Sequence, residues 1–211
     1  MRTLRLLVVE DHPVSRAGLV ALIQGASDMT VAGEAADGEE AITRFRDLRP
    51  DVTLMDLGLP RTGGLQATAT IHAEFPAARI IVLTALQGDE DIHRALEAGA
   101  RGYLLKDVSR AELLDAIRAV DAGRRWLPPA LAARLAEREA GLEDFTPREI
   151  EVLRRIVRGD NNKEIARRLE IGEASVKDYV NRIFSKLGVS DRTRAVAVAL
   201  RRGFVHLDER E

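Results

Sequence analysis

Five side chains suited to phosphoryl chemistry each follow a short apolar run in the first half of the sequence. Glu10 and Asp11 follow LRLLVV, Asp56 follows VTLM, Thr84 follows IIVL and Lys106 follows GYLL. If these runs are strands of one sheet, their ends bring three carboxylates, a hydroxyl and an amine to a single edge. Carboxylates placed so closely repel one another, and the arrangement is costly unless a hard cation sits among them. Mg²⁺ is the small, oxygen-seeking ion that uses few protein carboxylates and completes its shell with waters and phosphate oxygens. The pattern therefore implies a magnesium-dependent phosphoryl site. A polar residue at one strand end is ordinary in α/β proteins; five of these types in this order carry the argument.

The surrounding sequence supplies the elements that would position them. A short, continuous apolar run predicts a buried strand over Leu4–Val9, and the alternation continues with strands over Thr30–Ala35, Val52–Met55, Ile80–Leu83 and Gly102–Leu105. Between and after them, helical periodicity predicts helices over Pro13–Gln24, Gly38–Leu48, Gly64–Phe75, Asp89–Ala98 and Ser109–Ala122. Strict alternation of strand and helix implies parallel pairing through helical crossovers, hence an α/β doubly wound, five-stranded parallel sheet of flavodoxin-like type. In such sheets function gathers at the carboxyl ends of the strands, where the five residues fall.

The strings VVEDH, DVTLMDLGLPRTGG, VLTA and GYLLK resemble the receiver domain of two-component response regulators over nearly all of residues 1–125. The resemblance implies that Asp56 accepts a phosphoryl group from a sensor histidine kinase. It implies that Mg²⁺ is bound by Asp11, Asp56 and the Gly58 carbonyl, with Glu10 acting mostly through water. It also implies that Lys106 pairs with phosphoryl oxygens, that Thr84 moves to hydrogen-bond one of them, and that Tyr103 swings inward as Thr84 moves. The other reading of Tyr103 is a tyrosine half-buried at a strand end. Where the family often has Met, this chain has Leu59, and Gly58 replaces a bulkier or polar residue; Gly58 and Leu86 stand where the family tunes phosphoryl lifetime. Phosphoryl transfer depends on positioning and charge neutralisation more than on covalent assistance, which suits this residue set.

Residues 126–144 read as a helical linker, with Trp126 against a domain surface, Pro128-Pro129 opening a helix over 130–140 and Gly141 closing it. Residues 145–211 lose the strand alternation and divide into four helices. Thr146-Pro147-Arg148-Glu149 is a capping box opening the first. The second runs from Asn162 to Leu169, the third from Glu173 to Leu187 and the fourth from Arg192 to Arg201. A short helix, a tight turn at Gly172 and a longer helix with basic residues outward form a helix-turn-helix pattern. The string from Phe145 to Val196 resembles the LuxR-type helix-turn-helix, and its pairing with a receiver resembles the NarL/FixJ type of response regulator. By that resemblance Glu173–Leu187 lies in the major groove of double-stranded promoter DNA, with Lys177, Asp178 and Asn181 facing base edges. Ser175, Arg182, Lys186, Asn162, Lys163 and Arg192 would hold phosphates. Asp178 departs from the small or neutral residue usual there, and either accepts from cytosine N4 or stands solvated beside the groove.

Charge agrees with this division. Residues 1–125 carry 15 Lys and Arg against 19 Asp and Glu, whereas residues 145–211 carry 15 against 11. Only four of the 32 basic residues are lysines, namely Lys106, Lys163, Lys177 and Lys186, and all fall on the two motifs. No apolar stretch is long enough to span a membrane, the N-terminus lacks a signal-peptide pattern, and cysteine is absent, so the expectation is a cytoplasmic protein. An enzymatic phosphatase or phosphotransferase using Asp56 would need a second carboxylate as general acid, and Leu57-Gly58 offers none. The sequence thus points to a phosphorylation-controlled, homodimeric transcription regulator with no enzymatic activity beyond its own phosphorylation and dephosphorylation.

Overall fold

The computed structural model describes residues 2–85, 88–129, 132–133 and 145–205. Leu86, and the expected linker helix over 130–140 apart from residues 132–133, lie outside the described residues. Contacts divide the described chain into two compact units, the first holding a sheet and the second only helices.

Strands β1 (Leu4–Val9), β2 (Met29–Ala35), β3 (Val52–Met55), β4 (Ile80–Thr84) and β5 (Gly102–Leu105) form one sheet in the order β2-β1-β3-β4-β5. Every pairing is parallel, with one register shift between Leu6 and Leu7 against β2. Helices α1 (Pro13–Gln24), α2 (Gly38–Leu48), α3 (Gly64–Glu74), α4 (Asp89–Glu97) and α5 (Arg110–Asp121) make the crossovers and the closing helix. The two-residue alternation of β1 explains why its apolar run is continuous. Leu6 and Val8 pack with Ile23 of α1 and Ile117 of α5, whereas Leu7 and Val9 pack with Phe45 of α2 and Ile71 of α3. Predicted and observed boundaries agree within a residue. The small differences fall at ends such as Thr84, whose backbone extends β4 by one pair to Leu105.

The helical unit consists of α6 (Pro147–Val157), α7 (Asn162–Arg168), α8 (Glu173–Leu187) and α9 (Arg192–Arg202). Both halves of the capping box at Thr146 and Glu149 are formed. A second box, Asn161 with Glu164, opens α7. The core joins Val152, Leu153 and Ile156 of α6, Ile165 of α7, Val176, Val180, Ile183 and Leu187 of α8, and Ala195 and Ala199 of α9.

Candidate functional site: an acidic phosphoryl pocket and a helix-turn-helix

The parallel sheet brings the five expected residues together. Asp56 continues β3 through a hydrogen bond from its amide to the Val9 carbonyl (3.0 Å), so acceptor and acidic turn are locked to adjacent strand ends. Ligand oxygens of Glu10, Asp11 and Asp56 all lie within 4.8 Å of one another. Glu10 and Asp56 are 1% and 6% exposed, while Asp11 faces solvent. Lys106 donates from Nζ to Asp56 Oδ2 at 2.8 Å and reaches Glu10 Oε2 at 2.7 Å. Burial pushes the Lys106 ammonium down, but its hydrogen bonds to Asp56 and Glu10 outweigh this and hold its pKa above the ordinary lysine value. Thr84 is buried beside the pocket, and its carbonyl accepts from the Lys106 amide (3.0 Å), tying hydroxyl and ammonium to the ends of neighbouring strands.

The loop after Asp56 explains its glycines. A Cβ on Gly64 would stand 1.7 Å from the Asp56 carbonyl oxygen, so α3 can start this close to the pocket only with hydrogen there. A Cβ on Gly58 would lie 3.6 Å from Asp56 Oδ2, which places this residue beside the carboxylate. Three carboxylates against one ammonium leave surplus negative charge, and every donor offered is oxygen. That set suits a hard divalent cation.

In the helical unit, Val176, Val180, Ile183 and Leu187 turn inward on α8, leaving Ser175, Lys177, Asp178, Asn181 and Arg182 exposed on its outer side, with Lys163 exposed on α7. Arg182 stacks over the Tyr179 ring at 4.7 Å, which splays its guanidinium along the helix surface. The exposed side of the second helix of a helix-turn-helix is the side available to a DNA groove.

Comparison with known proteins agrees with both geometries. Residues 6–118 match the response regulator receiver domain family, and residues 143–199 match the family of bacterial regulatory proteins called the luxR family. Two relatives from Bacillus subtilis (strain 168) align over nearly their whole length. The transcriptional regulatory protein LiaR is 40% identical, covering 96% of this chain and all of that one, and the uncharacterized transcriptional regulatory protein YxjL is 38% identical, covering 96% and 97%. A solved two-component response regulator of the LuxR family from Aurantimonas sp. SI85-9A1 is 43% identical with a TM-score of 0.62, covering 65% of this chain and 99% of that one. The chain belongs to the LuxR-type response regulators. It is a phosphorylation-dependent, DNA-binding transcription regulator.

Some residues of this response regulator stand elsewhere than the sequence suggested. Lys186 was expected on a phosphate; its ammonium is instead turned into the helical unit, 2.9 Å from Glu149 Oε2 and over the Phe145 ring at 5.6 Å. Glu149 is buried at 1% exposure and also accepts from the Thr146 amide (2.8 Å) and hydroxyl (3.0 Å). Burial alone would raise its pKa, but the Lys186 and Thr146 hydrogen bonds prevail and hold it below the usual glutamate value. Arg192, likewise expected on a phosphate, is half-buried and donates to the Asp160 carbonyl and, at 3.4 Å, to Asn162 Oδ1, bracing the start of α9 against the α6–α7 turn. Burial lowers its pKa more than Asp160 raises it. Tyr103 is fully buried among Val82, Ile92, Ala95 and Ala100 rather than half-buried at the strand end.

Other residues were missed. Arg61 adopts a left-handed backbone (φ 59°) in the β3–α3 loop and pairs with Asp37, the cap of α2. Arg16 of α1 reaches back to the acidic turn. Neither had a readable signal, because both contacts join residues with no periodic relation. The Asn161–Glu164 box did have one, the N-x-x-E spacing itself.

Proposed function

We propose that Asp56 accepts the phosphoryl group of a sensor kinase phosphohistidine and that the acyl phosphate controls binding of the helix-turn-helix to promoter DNA. One Asp56 oxygen attacks phosphorus. A P–O bond forms as the P–N bond breaks, the bonding pair returns to the imidazole nitrogen, and the ring takes one proton from solvent. Mg²⁺, held by Asp11, Asp56 and the Gly58 carbonyl with Glu10 acting through water, would neutralise the phosphoryl oxygens. Lys106 supplies the remaining positive charge, exchanging its Asp56 contact for a phosphoryl oxygen. Thr84 hydrogen-bonds another, and Tyr103, buried on β5, follows its movement, so phosphorylation biases the face formed by α4 and β5. Complete conversion from 1% to 99% active would take about 5.5 kcal/mol, so a smaller bias added to dimerisation on DNA suffices. The chain turns over no external substrate and works in the cytoplasm. A two-fold dimer would read inverted half-sites about 34 Å apart through Lys177, Asp178 and Asn181, with Ser175, Arg182 and Lys163 on phosphates.

The observation that carries this reading is the Lys106 ammonium spanning Asp56 and Glu10 in a pocket with surplus carboxylate. Incubation with acetyl phosphate and Mg²⁺ followed by intact mass should give one phosphoryl adduct, lost on chelation and in Asp56→Ala and Asp11→Ala. An adduct at the wild-type level in Asp56→Ala would overturn the assignment.

A further inference from the structure

Arg16 makes a contact that the phosphoryl chemistry does not use. Glu10 lies where β1 ends: its amide still donates to the Ala35 carbonyl (3.0 Å), but its carbonyl has passed the last strand pair at Val9. A backbone carbonyl at a strand end needs a donor from elsewhere. Arg16, in the first turn and a half of α1, supplies it, with Nη1 2.6 Å from the Glu10 oxygen. The guanidinium is aimed from its other side by Glu34 of β2, 3.2 Å from Nε, and the Arg16 side chain is 22% exposed. The Glu10 carboxylate is fixed separately, by the His12 amide at 3.2 Å and by Lys106. Asp11, exposed and next in sequence, is joined to Glu10 through the peptide whose carbonyl Arg16 holds.

We propose that Arg16 is a positioning residue of the cation site: by pinning the Glu10–Asp11 peptide it presets the Asp11 carboxylate toward Asp56. This rests on the metal-dependent phosphoryl reading above. Groups that orient metal ligands without touching the metal change its affinity by about 10- to 100-fold when removed. The charge of Arg16 acts in the opposite sense, since a nearby cation repels a divalent ion. Glu34 neutralises that charge, which leaves the orientation effect dominant.

Mg²⁺ titration of the full-length protein by calorimetry, repeated with Mn²⁺ by electron paramagnetic resonance, tests this without relying on activity. Arg16→Ala should weaken binding about tenfold or more. Arg16→Lys, which keeps a donor within reach of the carbonyl, should recover most of the loss. Glu34→Gln should fall between them and serves if Arg16→Ala does not fold. At saturating Mg²⁺, the acetyl phosphate labelling rate of Arg16→Ala should lie within about twofold of wild type, a separation that general loss of structure would not produce. Unchanged or tighter Mg²⁺ binding in Arg16→Ala, with wild type binding normally, would overturn the positioning role alone. No Mg²⁺ binding by wild type would overturn the metal-dependent reading and this role with it.

Discussion

Lys106 and Lys186 each hold a buried carboxylate at nearly the same distance, 2.8 Å to Asp56 and 2.9 Å to Glu149, yet the two pockets are built for opposite ends. Around Lys106 the carboxylates outnumber the ammonium, and Asp11 opens the cluster to water. Around Glu149 the carboxylate already receives the Thr146 amide, the Thr146 hydroxyl and Lys186, and the ammonium sits over an aromatic ring. Surplus charge makes the first pair exchangeable: a cation or a phosphoryl group can take over its contacts at little cost. The second is buried with three donors already gathered on one carboxylate oxygen, Oε2, so it can only be kept or broken. A lysine–carboxylate distance alone does not separate a working site from a brace; the count of donors and acceptors around it does.

The largest expected effect follows from breaking the brace. Removing one partner of a buried ion pair costs about 3–5 kcal/mol, so Lys186→Ala should destabilise the helical unit by that order in urea unfolding. Pairing Lys186→Met with Glu149→Leu should recover most of it, since apolar residues of similar volume often replace such pairs without loss. Lys106, about a third exposed, should behave differently. Lys106→Ala should change stability by no more than about 1 kcal/mol while abolishing the DNA-affinity gain on phosphorylation. Equal losses of stability in the two single variants would erase the distinction.

Next in size are effects on DNA. Lys177→Ala should cost about 1–3 kcal/mol on a selected operator and little on random duplex. Lys163→Ala should weaken both alike and lower the salt slope by about 0.9, whereas Lys186→Met with Glu149→Leu should leave that slope unchanged. A reduced slope in the double variant would return Lys186 to the phosphate backbone.

The smallest effect is in pH. Glu149 has a folded pKa below its ordinary 4.5, so its contribution is complete above that value and is lost as pH falls through the lowered one. Lys106 has a folded pKa above 10.5, so its contribution is complete below 10.5 and is lost as pH rises through the raised value. Acid and alkaline unfolding profiles of Glu149→Gln and Lys106→Met should therefore flatten at opposite ends.

The pocket was readable because β1, β3, β4 and β5 each announce themselves by a run of mostly buried residues, with the functional groups at their ends; β2, only partly buried, carries none. Periodicity also placed α8 and its buried face of Val176, Val180, Ile183 and Leu187, while its outer residues from Ser175 to Arg182 came from the family resemblance. It did not place Lys186, which lies one residue before the buried Leu187 and borders the core, so its direction depended on whether a carboxylate waited inside. Glu149 was recognised as a cap without its second bond being foreseen, since that bond joins residues 37 positions apart. The Arg192 contact was hidden for the same reason, its carbonyl partner being set by the packing of three helices. Long polar side chains at the core margin are where local pattern runs out.

Trp126 follows α5 and returns to the outer side of β5. Its amide donates to the Arg101 carbonyl (2.9 Å), and its carbonyl accepts from the Tyr103 amide (3.0 Å), forming a single parallel bridge opposite Gly102. An open strand edge invites pairing with another chain, and here the protein seals part of that edge with its own backbone. Two copies meeting at this side must therefore recognise one another by side chains, which phosphorylation can rearrange, rather than by continuing the sheet, which would be indiscriminate and hard to reverse.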